Sequence, residues 1–398
     1  MNATAPGGHE LAHGAAIVSP RGASRWAAGH PWIYRTDTRL PKGVASGAIL
    51  PVQDERGRFL GQACVSLHSK ITLRRICSDD RPIDVAFFRE RIATAANLRR
   101  TLLPGESTYR AIHGDGDGLP GLVVDRYGDY LSVQFLTPAM EQRKELLVPL
   151  LVEQFACRGI MNRSDSSIRG LEGLALEKGL LWGEVPDPVI IREGQLEFAV
   201  SLEQGQKTGS FLDQRENHLL AGRYARGQAL DCFSYIGGFA LQMARKAGRV
   251  TAVDSSEPAC EQIRANAARN GIGNVEVLST NVFDFLRAEF DAAKRYDTIV
   301  LDPPAFAKNK TAIAAGLRGY KEINLRAMQL LSPGGYLISS SCSHHVDEAA
   351  FETMLQAAAA DARREVQIIE KRGAGRDHPV LLALRETRYL KCYVLRIL

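Results

Sequence analysis

The 398-residue sequence lacks several features that would assign it to common protein classes. It has no apolar run long enough to cross a bilayer, so no membrane-spanning segment is predicted. Its 7 cysteines are scattered singly, without the paired spacing of zinc sites or disulfide frameworks, which predicts reduced thiols that mostly pack in cores. The stretch Met1–Ala15 lacks the charged-then-apolar layout of a signal peptide, and we therefore expect a cytoplasmic protein.

Metal-binding patterns are also missing. The Gly- and Asp-rich stretch 113–122 departs from the EF-hand spacing and has no closing acid, which indicates a turn between strands. His344 and His345 alone are too few ligands for a zinc centre. No metal is therefore expected.

The charge balance is mildly basic, with 50 Lys and Arg residues against 45 Asp and Glu residues and a formal net charge of +5. This balance permits a nucleic-acid partner without requiring one. Basic residues are concentrated between Lys70 and Arg110, and they include Arg74, Arg89 and Arg99. Taken alone, this run indicates a solvated helix face. It becomes an RNA-binding track only if the catalytic end of the chain also points to RNA.

The length suggests two or three domains, and the predicted elements change along the chain. Residues 15–78 contain short apolar strands separated by turns, which predicts a small β-rich module. Predicted helices over Phe87–Leu103 and Met140–Phe155, with a strand at Leu131–Phe135 between them, indicate an α+β segment. From about residue 189, strands alternate with helices, which predicts a doubly wound α/β domain with a parallel sheet.

The first strand of that α/β domain leads into a glycine turn. The strand carries Asp231 near its end, and Gly237 and Gly238 precede a helix. Glycine lets backbone N–H groups approach a ligand closely. The next strand ends in Asp254, an acid placed to hydrogen-bond ribose hydroxyls. These features predict a nucleotide-type cofactor at the carboxyl end of the sheet.

Later strand ends add groups at the same edge. Asn281 is interpreted as an adenine contact or as the cap of the following helix, and the two roles are compatible. Asp302 is followed by Pro303 and Pro304, which fix φ and remove two backbone donors, so the chain leaves the sheet in a rigid turn. Phe306 then stands where its ring can stack on a planar base. Because ligands bind beyond the carboxyl ends of parallel strands, these groups predict one pocket.

A cysteine follows the next predicted strand, 335–340. Cys342 lies among serines and histidines rather than in an apolar run, which disfavours core packing. Its thiol is expected at the same sheet edge as Asp302. His344 and His345 are interpreted either as groups that polarise the thiol or as exposed side chains.

Three stretches resemble a known family, and the resemblance covers nearly the whole chain. Residues 29–34 resemble a PUA signature, 113–122 a central-domain turn, and 205–215 the most specific block of the family. The family is that of class I S-adenosylmethionine-dependent methyltransferases acting on cytosine C5 of 23S ribosomal RNA, the large-subunit methyltransferase I group.

The resemblance implies an architecture. It consists of an N-terminal β-rich PUA module for RNA binding over 1–80, a central α+β domain over 81–186, and a Rossmann-like class I methyltransferase domain over 187–398.

The resemblance also adds cofactor-proximal residues from the 205–215 block. The implied cofactor is S-adenosylmethionine, and the full set of expected contacts, strand ends included, is Phe211, Asp213, Arg215, Asp231, Gly237, Asp254, Asn281 and Asp302. Ser210 stands where an aromatic residue is common in the family, and Asn281 stands where an aspartate is usual.

The implied mechanism uses Cys342 as a nucleophile. Its thiolate adds to cytosine C6, C5 then takes the methyl group, and loss of the C5 proton expels the cysteine. Asp302 is expected to orient or protonate the N3/N4 edge of the base, and Pro303 and Pro304 to fix its plane. Since a free thiol with a pKa of about 8.5 is only a few per cent ionised at pH 7, its surroundings are expected to lower the pKa.

The implied partner is 23S ribosomal RNA or its particle, and the sequence leaves open whether the chain forms a homodimer. Three alternative functions stay open. The first is an RNA guanine N7 or N2 methyltransferase that uses the run from Asp302 to Phe306, and the second is a non-catalytic RNA-binding assembly factor. The third is a nicotinamide dehydrogenase built on the same sheet, although a full G-x-G-x-x-G motif is missing.

Overall fold

The structure is a computed structural model that describes residues 14–307 and 309–398. The signal-peptide expectation therefore falls almost entirely on residues outside this description. The described chain divides into two compact units. The first comprises residues up to Pro104, Ala111–Val185 and Leu381–Leu384; the second comprises Gly105–Arg110, Pro186–Val380 and Arg385–Leu398. The predicted division at 80/81 and 186/187 stays a prediction.

The N-terminal part of the first unit is a small β-rich module, as the alternating apolar runs predict. Its sheet has the strand order β2-β6-β5-β4-β1-β3. Trp26 packs in its core, and the indole N–H donates to the carbonyl of Leu60 at 2.7 Å. The elements are β1 (Ala16–Val18), α1 (Pro20–Ala27), β2 (Trp32–Tyr34), β3 (Thr38–Arg39), β4 (Ile49–Asp54), β5 (Phe59–Val65) and β6 (Ile71–Cys77).

An α+β segment follows, with the strand order β11-β10-β9-β8-β7. The helix predicted over Met140–Phe155 is interrupted at Gln142 and Arg143 and forms two helices instead. The elements are α2 (Val85–Leu102), β7 (Thr108–His113), β8 (Leu122–Tyr127), β9 (Tyr130–Phe135), α3 (Pro138–Glu141), α4 (Lys144–Phe155), β10 (Gly159–Asn162), α5 (Ile168–Leu171) and β11 (Gly179–Gly183).

Several members of the predicted basic run form ion pairs. Arg74 lies 2.7 Å from Glu172, Arg99 pairs with Asp117, and both arginines are buried. Only exposed members such as Arg89 fit the interpretation of a solvated face. Because a buried guanidinium cannot reach a phosphate, Arg74 and Arg99 do not form part of an RNA track, and for the remaining members the RNA track stays a prediction.

The second unit contains the predicted doubly wound sheet. Its strand order is β16-β15-β14-β17-β18-β20-β19, with β14 to β18 parallel and β20 antiparallel to both neighbours. The hairpin β12–β13 and strand β19 are additions to the predicted elements. The elements are β12 (Val189–Glu193), β13 (Leu196–Val200), α6 (Arg215–Tyr224), β14 (Gln228–Cys232), α7 (Gly238–Ala244), β15 (Arg249–Asp254), α8 (Glu257–Arg269), β16 (Val275–Ser279), α9 (Val282–Asp291), β17 (Tyr296–Leu301), α10 (Ile313–Leu330), β18 (Leu331–Ser341), α11 (Glu348–Ala362), β19 (Val366–Arg372) and β20 (Lys391–Ile397).

Both faces of this sheet are covered, because successive strand residues alternate between two cores. Ile299 belongs to the core that contains Tyr320 and Phe351, whereas its neighbour Val300 belongs to the core that contains Phe239. The parallel strands are therefore buried on both sides, and their carboxyl ends form the accessible rim. In the described part of the chain, no helix is long and apolar enough to cross a membrane.

Candidate active site

The chain order of the sheet reverses between β14 and β17, which both pair with parallel neighbours. In open parallel sheets, such a switch point leaves a crevice at the carboxyl ends of the strands. The ends of β14, β15, β17 and β18 carry Asp231, Asp254, Asp302 and Cys342. The topology therefore brings the predicted acids and the predicted nucleophile to one rim.

A cavity of about 290 Å³ opens at this rim. Seven of the predicted site residues line it: Phe211, Asp213, Asp254, Asp302, Pro303, Pro304 and Cys342. Five others do not line it in the described structure: Arg215, Asp231, Gly237, Asn281 and Phe306. Their environments explain what they do instead.

Asp231 lies beneath the glycine turn rather than at its surface. It is fully buried, and its Oδ2 accepts a hydrogen bond from the backbone N–H of Ala240 at 2.9 Å, in the first turn of α7. Among the described residues none forms a hydrogen bond with its Oδ1, and burial raises the pKa of Asp231 to about 7. Gly237 precedes the helix with a φ of 90°, a conformation that favours glycine. Both residues shape the turn from within.

Asp254 faces the cavity and organises the opposite side of the same turn. Its Oδ2 accepts from the backbone N–H of Tyr235, and its Oδ1 accepts from that of Ser256, both at 2.9 Å. These bonds fix the carboxylate at the strand end. Each oxygen retains a second lone pair that a ribose hydroxyl can use.

Asn281 is exposed and caps α9. Its side-chain oxygen accepts from the backbone N–H groups of Phe283 at 2.9 Å and Asp284 at 3.4 Å. Of its two predicted roles, the cap is the one with contacts in the structure. The adenine contact stays a prediction.

Asp302 is held in place by a residue from the 205–215 block. The side-chain amide of Gln214 donates to its Oδ1 at 2.8 Å. Burial raises the pKa of Asp302 to about 6, and the bond from Gln214 opposes that rise. The carboxyl group therefore titrates close to neutral pH. Pro303 and Pro304 continue the cavity wall beyond it.

Phe306 packs inward, away from the position expected for base stacking. Its ring centroid lies 4.7 Å from that of Tyr320, 5.9 Å from that of Phe283 and 6.4 Å from that of Phe233. Burying a large ring among other rings stabilises the loop more than exposing it would. Phe306 thus anchors the turn after Pro303 and Pro304.

Cys342 is half-buried, whereas the other six cysteines are buried. Burial and the charge of Asp302 raise the pKa of its thiol to about 11, against the opposing charges of Lys207 and Lys391. The expectation that the surroundings lower this pKa is therefore wrong for the protein alone, because desolvation disfavours a thiolate more than the two cations favour it. His344 and His345 are both exposed, which agrees with one of their two predicted interpretations, and desolvation and the charge of Lys391 lower the pKa of His344.

The 205–215 block also supplies an ion pair, Lys207 with Asp213, to the lining of the cavity. Lys207 donates to Oδ2 of Asp213 at 2.8 Å, and the hydroxyl of Tyr389 donates to the same atom at 2.7 Å. Burial opposes ionisation of Asp213, but Lys207 and Tyr389 hold its pKa below the usual value. Arg215 points elsewhere and pairs with Glu106 at 3.2 Å.

Sequence reasoning missed a buried pair on the cavity wall. Nδ1 of His218 lies 2.8 Å from Glu193, and both residues line the cavity. Burial opposes protonation of His218, but Glu193 raises its pKa above the ordinary value. No local signal could have found this pair, because 25 residues separate its members. Lys207 and Gln214, by contrast, lie inside the block that the resemblance singled out.

Comparisons with known proteins settle the family. A family model described as an S-adenosylmethionine-dependent methyltransferase matches residues 163–379, and one described as a PUA-like domain matches 16–78. Ribosomal RNA large subunit methyltransferase I of Shewanella amazonensis is 41% identical over 377 residues, which cover 92% of this chain and 95% of that protein. The chain belongs to the ribosomal RNA large subunit methyltransferase I family.

Other relatives and solved structures agree with this membership. Proteins of the same name from Shewanella denitrificans and Erwinia tasmaniensis are 40% and 38% identical, covering 92% and 93% of this chain and 95% and 96% of theirs. A methyltransferase crystallised with SAH has a TM-score of 0.83, and a SAM-dependent methyltransferase from Streptococcus mutans has 0.81. Each is 21% identical and covers 96% of this chain and 99% of the other, which shows the shared fold.

The predicted fold class, a Rossmann-like methyltransferase domain with a PUA-like module, is confirmed, and so is S-adenosylmethionine as the cofactor. The cavity of this large subunit methyltransferase I homologue fits that molecule. S-adenosylmethionine carries a ribose, an adenine, an ammonium and a carboxylate. The lining offers the carboxylates of Asp254 and Asp302, the ammonium of Lys207, and the rings of Phe211 and Tyr235. This donor set contains a complementary group for each of these four parts of the cofactor.

Proposed function

We propose that the protein transfers a methyl group from S-adenosylmethionine to C5 of a cytosine in 23S ribosomal RNA, through a covalent bond between Cys342 and C6. The observation that carries the proposal is the thiol of Cys342 in the wall of the cavity that Asp302, Pro303 and Pro304 also line. The names of the relatives supply the ribosomal RNA. The cofactor supplies an electrophilic methyl group.

Cytosine C5 is a poor nucleophile, and addition of a thiolate to C6 makes C5 nucleophilic enough to accept the methyl group. When the thiolate adds to C6, the ring electron pair moves to C5, which then takes the methyl group as its bond to sulfur breaks and S-adenosylhomocysteine leaves. A base removes the C5 proton, the double bond re-forms, and the thiolate leaves. The sulfur is thus regenerated, and the methyl group replaces the proton.

Asp302 is suited to the other edge of the base. With a pKa of about 6, it is mostly ionised at neutral pH but retains a protonated fraction. It can therefore accept a hydrogen bond from the N4 amino group or donate one to N3 as charge develops there. Pro303 and Pro304 offer rigid apolar surface beside it.

We assign the cofactor contacts to the lining residues. Asp254 is positioned to receive the ribose hydroxyls, and Phe211 offers an aromatic surface. Asp213 acts through Lys207, whose ammonium it holds at 2.8 Å. Asp231 and Gly237 support the turn behind this site, and Asn281 and Arg215 remain candidates that have other contacts in the structure.

The target cytosine has to leave its helix or come from an unpaired segment, because the cavity admits only an extruded base. Extrusion costs a few kcal/mol. The PUA-like module supplies RNA contacts that offset this cost. Since ribosomal RNA is the proposed substrate, we place the protein in the cytoplasm. A homodimer stays a prediction.

The experiment is a methyl-transfer assay with tritiated S-adenosylmethionine on 23S ribosomal RNA. Cys342→Ala is expected to abolish transfer and to retain SAH binding in calorimetry. Cys157→Ala, at a buried cysteine of the first unit, is the matched control and should remain active. RNA containing 5-fluorocytidine should trap the wild-type protein covalently, since fluorine cannot leave as a cation.

Full activity of Cys342→Ala would refute the covalent route and favour guanine N7 or N2 methylation, which needs no thiol. Wild-type protein that binds RNA but neither binds S-adenosylmethionine nor transfers a methyl group would point to an assembly factor.

A further inference from the structure

The loop that carries Cys342 is tied to the last strand by a buried lysine. Lys391 is the first residue of β20 and pairs with Ser341 at the end of β18. It is 2% exposed, and its ammonium donates to the carbonyl of Ser343 and to that of Tyr389, both at 2.8 Å. In the described part of the chain no carboxylate forms an ion pair with this ammonium, and a buried charge without such a partner is costly unless the site needs it.

Ser343 links this lysine to the rest of the site. Its side-chain oxygen accepts from the backbone N–H of Ala307 at 3.2 Å and lies 2.9 Å from the hydroxyl of Tyr320. The residue after Cys342 is therefore fixed on one side by Lys391 and on the other by the loop that follows Asp302. These contacts hold the thiol and the carboxylate in one arrangement.

We propose that Lys391 is a positioning residue for Cys342, whose ammonium fixes the cysteine loop through Ser343 and supplies the positive charge that stabilises the thiolate. This inference rests on the proposed role of Cys342 as the nucleophile. It gives a role to a buried lysine that does not itself line the cavity.

The mutual effects of Lys391 and Cys342 on each other's pKa agree with this geometry. Lys391 lowers the pKa of Cys342, and Cys342 raises that of Lys391. Burial nevertheless lowers the pKa of Lys391 to about 8, so the lysine is mostly charged at neutral pH and loses its proton just above it. The other charged or titratable groups that act on the pair are Asp302, Asp213, Lys207, Tyr320, His344, Tyr389, Asp347 and Glu348.

The test measures alkylation of Cys342 by iodoacetamide in the full chain, without RNA or cofactor, from about pH 6.5 to about pH 10. Peptide mass spectrometry separates Cys342 from the buried Cys392, which serves as an internal control. The variant is Lys391→Gln, which can still donate a hydrogen bond to Ser343 but carries no charge. Lys371→Gln, at an exposed lysine paired with Glu352, is the matched control.

Below about pH 8, Lys391→Gln is expected to react roughly tenfold more slowly than wild type, the effect of one pKa unit on the thiolate fraction. Above that pH the two rates should converge, because the wild-type lysine has lost its charge too. Lys371→Gln should follow wild type throughout. A purely structural role for Lys391 would not produce this convergence.

A folded Lys391→Gln protein with the wild-type profile would overturn the proposal. If the variant does not fold, the wild-type profile decides. A flattening of the rate near pH 8 supports the coupling, and a steady tenfold rise per pH unit overturns it. Since alkylation needs neither RNA nor cofactor, this outcome is independent of whether Cys342→Ala retains methyl transfer.

Discussion

Gly238 is expected to tolerate no side chain, because the imidazole of His218 occupies the space. An ideal Cβ at position 238 would lie 2.5 Å from Cε1 of that ring and 2.8 Å from both ring nitrogens. The ring cannot retreat freely: Nδ1 lies 2.8 Å from Glu193, and Phe239 packs edge-on with centroids 4.4 Å apart. Substitution Gly238→Ala therefore forces the buried pair out of position.

The expected cost of Gly238→Ala is about 1–3 kcal/mol, the usual range for overpacking a core. This exceeds the roughly 0.4–1 kcal/mol that alanine gains over glycine through backbone entropy. The melting temperature of the methyltransferase unit should fall roughly 2–4 °C per kcal/mol. Because Gly238, His218 and Glu193 all line the cavity, the affinity for SAH should fall as well.

Calorimetry of unfolding and of SAH binding measures both effects. Gly273→Ala is the matched control, since a Cβ there meets nothing within 4 Å. The double variant Gly238→Ala/His218→Ala removes the overlapping ring and should recover part of the lost stability, which a double-mutant cycle quantifies. If Gly238→Ala melted and bound SAH like Gly273→Ala, the packing argument would be refuted.

Two further predictions concern buried charges. Arg99→Met leaves the carboxylate of Asp117 buried without its partner and should lower the free energy of unfolding by about 3–5 kcal/mol, whereas Arg89→Met, in an exposed pair, should change it by less than about 1 kcal/mol in denaturant titrations. Gln214→Leu removes the hydrogen bond that opposes the raised pKa of Asp302, so the group titrating near pH 6 in the kcat/KM profile should move to higher pH. If the pH dependence of kcat/KM near pH 6 were the same in Gln214→Leu and wild type, a group other than Asp302 would control it.

The strand ends were accessible to sequence reasoning because their pattern is local. The strand predicted to end in Asp254 ends at that residue, since its apolar run stops there. Parallel strands share one carboxyl edge, so Asp254 and Cys342 could be brought together without coordinates. Both line the cavity.

The direction of individual side chains was less accessible. Asp231 lies one residue before the end of β14 and points under α7, and Phe306 turns toward Tyr320 instead of the cavity. Their orientations depend on which neighbours exclude water, and those neighbours come from distant parts of the chain. The contact between His218 and Glu193 was not predicted for the same reason.

The contacts of Ser343 have a consequence for substrate choice. Its hydroxyl accepts from Ala307 and so joins the segment after Asp302 to the segment that carries Cys342, whereas its carbonyl joins the Cys342 segment to β20 through Lys391. Under the proposed mechanism, a base that displaces the segment after Asp302 also displaces the segment that carries Cys342, so the seating of the base and the aim of the sulfur change together.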